Sequence, residues 1–145
     1  MFCKIIAGEV SATKVYEDEY VVAFLDIYPI NPGHTLIVPK RHVERLEELS
    51  PEEGKALIRA AARLAPAIIR AVGAEGYNVV MNIGRAAGQE IPHLHLHLVP
   101  RFSNDGCRFD CSRLKASREE LEKVGKSIRK AYMEVHGADP LHAKP

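Results

Sequence analysis

The sequence predicts an α+β domain in which an antiparallel sheet of about five strands is combined with one central and one C-terminal helix. Short apolar runs bounded by turn residues recur through the N-terminal two thirds, as in sheets built from hairpins. Two longer segments carry apolar residues at helical spacing, each preceded by a serine that can cap a helix. The length of 145 residues suits one domain with its own core.

The predicted strands are short. KVYEDEYVVAFLDI divides into two strands around a polar turn at Glu17–Glu19. A third strand, HTLIVPK over residues 34–40, follows the turn INPG and is closed by Pro39. YNVVMNIG over residues 77–84 is a strand between glycines. After the glycine-containing loop RAAGQEIP, the last strand carries the three histidines and ends before Arg101.

The first predicted helix follows a complete set of start signals. Ser50 is a suitable N-cap, Pro51 suits the first helical position, and Glu53 completes a capping box. Apolar residues then continue at helical spacing up to Gly73. These signals predict a helix between residues 51 and 72.

The second helix is predicted over residues 117–136. Ser117 and Glu120 form another capping box, and Gly137 ends the helix. Five apolar residues are predicted to form its buried face: Leu121, Val124, Ile128, Tyr132 and Val135.

Composition indicates an ordinary globular protein. The formal net charge is +1, which argues against a nucleic-acid or anionic membrane partner. No apolar run approaches the length of about 18 residues that a membrane span requires, and three cysteines without a framework spacing suit the cytoplasm. We expect a cytoplasmic protein with one domain over residues 1–137, a core in residues 2–101 and a frayed tail over residues 138–145.

The last predicted strand carries three histidines at alternate positions. Side chains alternate between the two faces of a strand, so same-face neighbours lie about 6.7 Å apart. His93, His95 and His97 are therefore expected to share one face. The leucines that follow each histidine share the other face and anchor the strand to the core.

Two kinds of chemistry and one structural role are open for these rings. Neutral imidazole is a common zinc ligand, and His-x-His spacing occurs in zinc sites. Imidazole is also a mostly neutral nucleophile at pH 7, because its unperturbed pKa is about 6.5 and neighbouring rings disfavour its charged form. Other ring N–H groups can donate to phosphoryl oxygens or to a leaving group. The structural alternative is a set of satisfied histidines on a sheet surface.

The segment HLHLHLV (93–99) resembles the signature of the histidine triad (HIT) family, in which three histidines alternate with apolar residues. Three longer segments resemble HIT proteins in order and spacing: FCKIIAGEV (2–10), FLDIYPINPGHTLIVPKRHV (24–43) and GQEIPHLHLHLVPR (88–101). The resemblance implies the HIT-like fold.

The resemblance also implies an activity. HIT proteins bind a nucleoside phosphate and break a bond to its α-phosphorus, which here implies a purine, AMP-like ligand and no cofactor. The substrate classes are phosphoramidates, dinucleoside polyphosphates and acyl-adenylates. His95 would be the nucleophile and would form a nucleotidyl-imidazole intermediate that water hydrolyses. His97 would contact the phosphate or the leaving group, His93 would support the geometry, and His34 would lie near the phosphate.

A nucleotide pocket is implied in the same way. Asp26 would accept the ribose hydroxyls, Asn82 would contact phosphate or sugar, and Gly88 and Gln89 would lie against the phosphate. Five apolar residues would surround the base: Phe24, Leu25, Ile27, Phe2 and Ile5.

Glu90 departs from the family pattern. Several relatives carry Ser or Thr at this position, where the hydroxyl donates to the phosphate or the leaving group. An ionised carboxylate cannot donate a hydrogen bond and would repel a phosphate. Glu90 is therefore expected either to point away or to bind a cationic leaving group.

The cysteines also depart from the pattern of the HIT family. Some prokaryotic relatives bind structural zinc through Cys-x-x-Cys and two histidines, of which only Cys3, His42 and His93 match here. We therefore expect no metal, with a three-ligand zinc site as the alternative. Cys107 and Cys111 are expected to be thiols without a role.

HIT proteins commonly pair as two-fold dimers, so a homodimer is expected. The helix segment KALIRAAARLAPAIIRA is apolar on more than one face, which fits a helix that covers both its own sheet and a partner. Two other functions stay open: a nucleotide-binding regulator without catalysis, and a zinc-dependent hydrolase that uses the three imidazoles as a metal cage.

Overall fold

A five-stranded antiparallel sheet lies at the centre of the computed structural model, which describes residues 1–106 and 113–144. The strands are β1 (Lys14–Glu17), β2 (Val21–Leu25), β3 (Thr35–Pro39), β4 (Gly76–Val80) and β5 (Leu96–Arg101). Their order across the sheet is β1-β2-β3-β5-β4, and every neighbouring pair is antiparallel. The helices are α1 (Phe2–Ile6), α2 (Pro51–Val72) and α3 (Arg118–His136), and 3₁₀ turns cover Leu46–Glu48, Arg85–Ala87 and Pro140–His142. The predicted fold class is confirmed.

Both faces of the sheet are covered, which explains why β2 is apolar along its whole length. Because side chains alternate between faces, Val21, Ala23 and Leu25 join the large core cluster that also contains residues of α2 and α3. Val22 and Phe24 instead belong to a second cluster, which includes residues of α1. The cavity described below lies on the face of this second cluster.

The start of α2 follows the sequence signals. Ser50 Oγ accepts from Glu53 N–H at 3.1 Å, and Glu53 Oε1 accepts from Ser50 N–H at 2.8 Å. Arg41 donates to both oxygens of the same carboxylate, and this contact lowers the pKa of Glu53 to about 2. Gly73 ends the helix in the left-handed conformation. None of the helices in residues 1–106 and 113–144 has the length and apolar character needed to cross a bilayer.

Two predicted strands are shorter than expected. The strand predicted over residues 77–84 ends at Val80. The strand predicted to carry all three histidines begins only at Leu96, because residues 91–93 bend and His93 N–H donates to the Ile91 carbonyl oxygen at 2.8 Å. Of the three triad histidines, only the last therefore lies within β5. The five-residue α1, which carries no side-chain cap, was not predicted.

The helix α3 forms as predicted, but its last turn and the C-terminal tail differ from the prediction. Ser117 caps α3 by accepting from Glu120 N–H, and Gly137 ends the helix. Val135 is exposed rather than buried, because the buried face continues through Ala131 and Tyr132 instead. The tail that was expected to fray packs onto the domain: Pro140 is buried, Ala143 N–H donates to the Glu17 carbonyl oxygen at 2.9 Å, and Arg63 Nη1 donates to the Lys144 carbonyl oxygen at 2.9 Å.

Gly33 is required by the turn that leads into β3. Its φ is +95°, a region that side chains with a Cβ rarely adopt. A Cβ atom at this position would lie 3.2–3.3 Å from side-chain atoms of Ile68, Val72 and Pro100. The close approach to α2 fixes the turn directly before His34.

Gly33→Ala should lower the free energy of unfolding by about 1–3 kcal/mol, because it combines a strained φ with close contacts. Gly54→Ala is the matched control: Gly54 lies in α2 with nothing within 4 Å of a Cβ, so the change should raise stability by about 0.5–1 kcal/mol. Denaturant unfolding measures both, and equal stabilities of Gly33→Ala and the wild type would contradict this account.

Candidate active site

A cavity of about 1000 Å³ opens beside α1, the end of β2 and the loop before β5. Ten of the residues assigned to the site by resemblance line it: Asp26, Phe24, Leu25, Ile27, Phe2, Ile5, Asn82, Gly88, His95 and His97. His34 lines an adjoining cavity of about 390 Å³ that shares Leu25 and Asp26 with the first. His93 and Gln89 line neither cavity.

The register of three strands brings the polar groups together. Asp26 follows β2 and His34 precedes β3, and Asp26 N–H donates to the His34 carbonyl oxygen at 2.9 Å. In the next pair, Leu36 of β3 lies opposite His97 of β5. Cross-strand partners share a face, so His97 lies on the cavity side while Leu96 and Leu98 are buried in the large core cluster.

The proton arrangement of His95 follows from one hydrogen bond. Its Nδ1 lies 2.7 Å from the carbonyl oxygen of His93. A carbonyl oxygen only accepts, so Nδ1 carries the hydrogen and Nε2 keeps its lone pair. The ring is 7% exposed and makes edge contacts with Phe2 and His97, at centroid distances of 5.2 Å and 4.9 Å. In its neutral form, the His95 ring thus has its lone pair on Nε2.

In His97 the ring hydrogen is on the other nitrogen, Nε2. The Ile30 N–H donates to His34 Nδ1 at 3.0 Å, so the hydrogen of the His34 ring is on Nε2. That atom lies 3.0 Å from His97 Nδ1, which must therefore accept, and the hydrogen of His97 is on Nε2. Burial is the main cause that lowers the pKa of His34 to about 3 and that of His97 to about 4, and neighbouring His95 and Arg113 contribute. Both rings are neutral at pH 7.

Asp26 is surrounded by a backbone N–H group, a neutral histidine and an arginine. One oxygen accepts from Tyr28 N–H at 2.9 Å. The other lies 3.6 Å from His34 Nε2 and 3.5 Å from Arg113 Nη1. Burial raises the pKa of this carboxyl group, while Tyr28 N–H, Arg113 and His95 act in the opposite direction.

Arg113 was not predicted as a site residue. It lies between β5 and α3, in a segment tied to the cavity wall by the hydrogen bond from Ala116 N–H to the Ile27 carbonyl oxygen at 2.8 Å. Its side chain is 29% exposed and lines the cavity. No local motif marks this arginine, because its proximity to Asp26 arises only from the packing of the C-terminal segment.

Gln89 and His93 have roles outside the cavity. The Gln89 side chain accepts from Gly84 N–H at 2.8 Å and donates to the Glu44 carbonyl oxygen at 3.0 Å, so its amide holds the loop rather than a phosphate. His93 Nε2 donates to the Pro39 carbonyl oxygen at 2.9 Å, and its ring is buried. His93 contacts His95 through its main-chain oxygen.

His93 belongs to a group that fits part of a zinc site. Ligand atoms of Cys3, His42 and His93 lie within 4.8 Å of one another. Because His93 Nε2–H is donated to a carbonyl oxygen, its lone pair is on Nδ1, an arrangement common among metal-bound histidines, and this atom lies 3.7 Å from Cys3 Sγ. The set fills three of the four positions of tetrahedral zinc. Cys107 and Cys111 lie outside the described residues.

The three triad rings do not converge on one point. Within residues 1–106 and 113–144, His93 groups with Cys3 and His42, and His97 groups with Asp26 and His34. His95 belongs to neither of these two groups. The donor set therefore does not fit a metal cage made of the three triad imidazoles.

Comparisons with known proteins agree with the motifs. The HIT domain profile matches residues 7–104. An uncharacterized HIT-like protein of Methanocaldococcus jannaschii is 50% identical over 129 residues, covering 89% of this chain and 98% of that protein. The adenylylsulfatase HINT3 of Arabidopsis thaliana is 39% identical over 88% of this chain and 64% of its own length. The adenosine 5′-monophosphoramidase hnt1 of Schizosaccharomyces pombe is 35% identical over 88% of this chain and 94% of its own length.

A solved structure extends the similarity to the fold. It is that of a zinc-bound histidine triad family protein from Mycobacterium smegmatis, 36% identical, with a TM-score of 0.84 over 95% of this chain and 96% of that chain. The likeness therefore extends over nearly the whole length of both chains.

The neutral state of His97 predicts a pH-dependent stability. Its folded-state pKa of about 4 lies below the unfolded value near 6.5, so the unfolded chain binds more protons between these values. Stability should fall as the pH decreases from about 6.5 to 4, and His97 should account for up to about 1.4 kcal/mol per pH unit. In denaturant unfolding, His97→Asn should lose less stability than the wild type over this range.

His142→Asn is the control, because this ring is exposed and lies outside the cavity. It should retain the wild-type pH dependence. An unchanged slope in His97→Asn would mean that burial does not keep this ring neutral.

Proposed function

The chain belongs to the HIT family, and we propose that it is a nucleotide hydrolase or transferase that cleaves at the α-phosphorus of an AMP-like nucleoside phosphate derivative. The substrate would be a phosphoramidate, a dinucleoside polyphosphate or an acyl-adenylate. Family members named adenylylsulfatase and adenosine 5′-monophosphoramidase support this class of reaction. The observation that carries the proposal is the hydrogen bond from His95 Nδ1 to the His93 carbonyl oxygen, because it places the lone pair of the neutral ring on Nε2, in a residue that lines the cavity.

The cavity suits a mononucleotide. Phe2, Phe24 and Ile5 provide an apolar wall for the base. Asp26 retains acceptor capacity for ribose hydroxyls after binding Tyr28 N–H, because a carboxylate offers about four lone-pair sites. Asn82 and Gly88 line the side of the cavity where we place the phosphate.

In the proposed first step, the lone pair of His95 Nε2 attacks the α-phosphorus and the bond to the leaving group breaks. The nucleotidyl-imidazole carries a positive charge, which strengthens the hydrogen bond from Nδ1–H to the His93 carbonyl oxygen. His97 Nε2–H donates to a phosphoryl oxygen or to the leaving atom. Water then attacks the same phosphorus and releases the nucleotide, which restores neutral His95.

A dimer is part of the proposal. The edge strand β4 has no partner on its outer side among the described strands, and its Tyr77 and Val79 are exposed. Val79 lies opposite Leu98, which belongs to the core on the helix side, and Ile58 on α2 is also exposed. We propose that a second copy covers these residues. Sedimentation that shows only a monomer at micromolar concentration would contradict this pairing.

His95→Ala should lower kcat/KM for an adenosine 5′-phosphoramidate by about 10³-fold or more, because the variant lacks the attacking atom. It should still bind AMP, since the apolar wall and Asp26 are unchanged. A coupled assay of product release and calorimetry of AMP binding measure the two properties.

The matched control is His142→Ala, which removes an exposed histidine outside the cavity and should keep wild-type turnover. Activity that survives in His95→Ala would remove this residue from its role. A wild-type protein that binds AMP but turns over no substrate would instead support a regulator without catalysis.

A further inference from the structure

Glu90 places a carboxyl group without an ion-pair partner among the described residues that line the cavity. Among the described residues that line it, the charged side chains are Asp26, Glu90 and Arg113. Arg113 lies 3.5 Å from Asp26, so the carboxylate next to His34 already faces a cation. Glu90 makes no ion pair or hydrogen bond through its side chain with residues 1–106 or 113–144.

The loop fixes which residue reaches the cavity. Gln89 N–H donates to the Gly84 carbonyl oxygen at 3.1 Å, and both ends of its side-chain amide are bound within the surrounding loops. Gly88 and Glu90, on either side of Gln89, line the cavity. Arg85 lies in the same turn but does not line it. Glu90, an exposed residue, therefore lines the same cavity as Asn82, His95 and His97.

A carboxylate beside a phosphate site is unfavourable unless the ligand supplies a positive charge. It repels the phosphate and any anionic leaving group, and it cannot donate a hydrogen bond to either. An ammonium group placed on the leaving group reverses the sign of this interaction. The same side chain would then reject anionic leaving groups and select cationic ones.

We propose that Glu90 makes the enzyme selective for nucleotide derivatives whose leaving group carries an ammonium group. Such substrates are phosphoramidates of diamines, in which one amine is bound to phosphorus and the other is free, and acyl-adenylates with a free amine. The inference rests on the proposed function, because it assigns a substrate class to that site. For a phosphoramidate, the P–N bond breaks, and one water supplies the hydroxyl to phosphorus and the hydrogen to the departing amine.

Three adenosine 5′-phosphoramidates of similar size test the proposal: those of 1,3-diaminopropane (cationic), butylamine (neutral) and β-alanine (anionic). The wild type should prefer the cationic over the neutral substrate by about fivefold in kcat/KM, and the neutral over the anionic by a similar factor, the upper end for an exposed ion pair. Glu90→Gln should bring both ratios to within about twofold of one. Added salt should reduce the wild-type ratios, because it screens exposed charges.

Glu52→Gln is the matched control. It removes the same charge from the exposed start of α2, outside the cavity, and should keep the wild-type ratios. Equal ratios in the wild type and Glu90→Gln, or a wild-type preference for the anionic substrate, would overturn the assignment to Glu90. Ratios that change equally in Glu52→Gln would also overturn it, because they would reflect net charge.

Binding separates this inference from the proposed function. The affinities of the three conjugates are also measured with His95→Ala and with the double variant His95→Ala, Glu90→Gln. If the wild type turns over none of the conjugates, and neither a dinucleoside polyphosphate nor an acyl-adenylate, the proposed function fails. An affinity preference for the cationic conjugate that disappears in the double variant would then still support the role of Glu90, and the absence of any preference would overturn it.

Discussion

A single hydrogen bond between a histidine ring and the main chain determines what the cavity can do. The His93 carbonyl oxygen lies 2.7 Å from His95 Nδ1 and can only accept, so the ring must place its hydrogen there. In the neutral ring, Nε2 then carries the lone pair, and His95 lines the cavity. If His95 carried its hydrogen on Nε2, the same residue in the same place would be a donor, and the proposed attack on phosphorus would not be available to it.

The backbone sets the other rings in the same way. Pro39 accepts from His93 Nε2, which holds His93 in place and with it the carbonyl that orients His95. Ile30 N–H donates to His34 Nδ1, so the hydrogen of the His34 ring is on Nε2. That hydrogen is donated to His97 Nδ1, and the hydrogen of the His97 ring is therefore on its Nε2. Burial keeps His34 and His97 uncharged. The site therefore combines an acceptor, His95 Nε2, with a donor, His97 Nε2–H. Main-chain groups set both arrangements, and substitutions of distant side chains leave these groups in place.

The alternating histidines and leucines were sufficient to predict a strand with one polar and one buried face, and Leu96, His97 and Leu98 follow that pattern. Local signals also sufficed for Ser50 and Gly73, because capping depends only on neighbouring residues. The pattern could not show that His93 and His95 precede the strand, since the bend at residues 91–93 depends on hydrogen bonds.

Other features depend on tertiary contacts that have no local signature. Gln89 was expected at the phosphate, but its amide is taken by Gly84 and Glu44. Arg113 reaches Asp26 only because the C-terminal segment packs against the end of β2.

The distribution of protons over the histidine rings also cannot be predicted from the sequence. Long-range ¹H–¹⁵N correlation NMR at neutral pH would measure it directly: we predict a hydrogen on Nδ1 and none on Nε2 of His95, with the reverse for His97. A His95 protonated on Nε2, or on both nitrogens, would contradict the account.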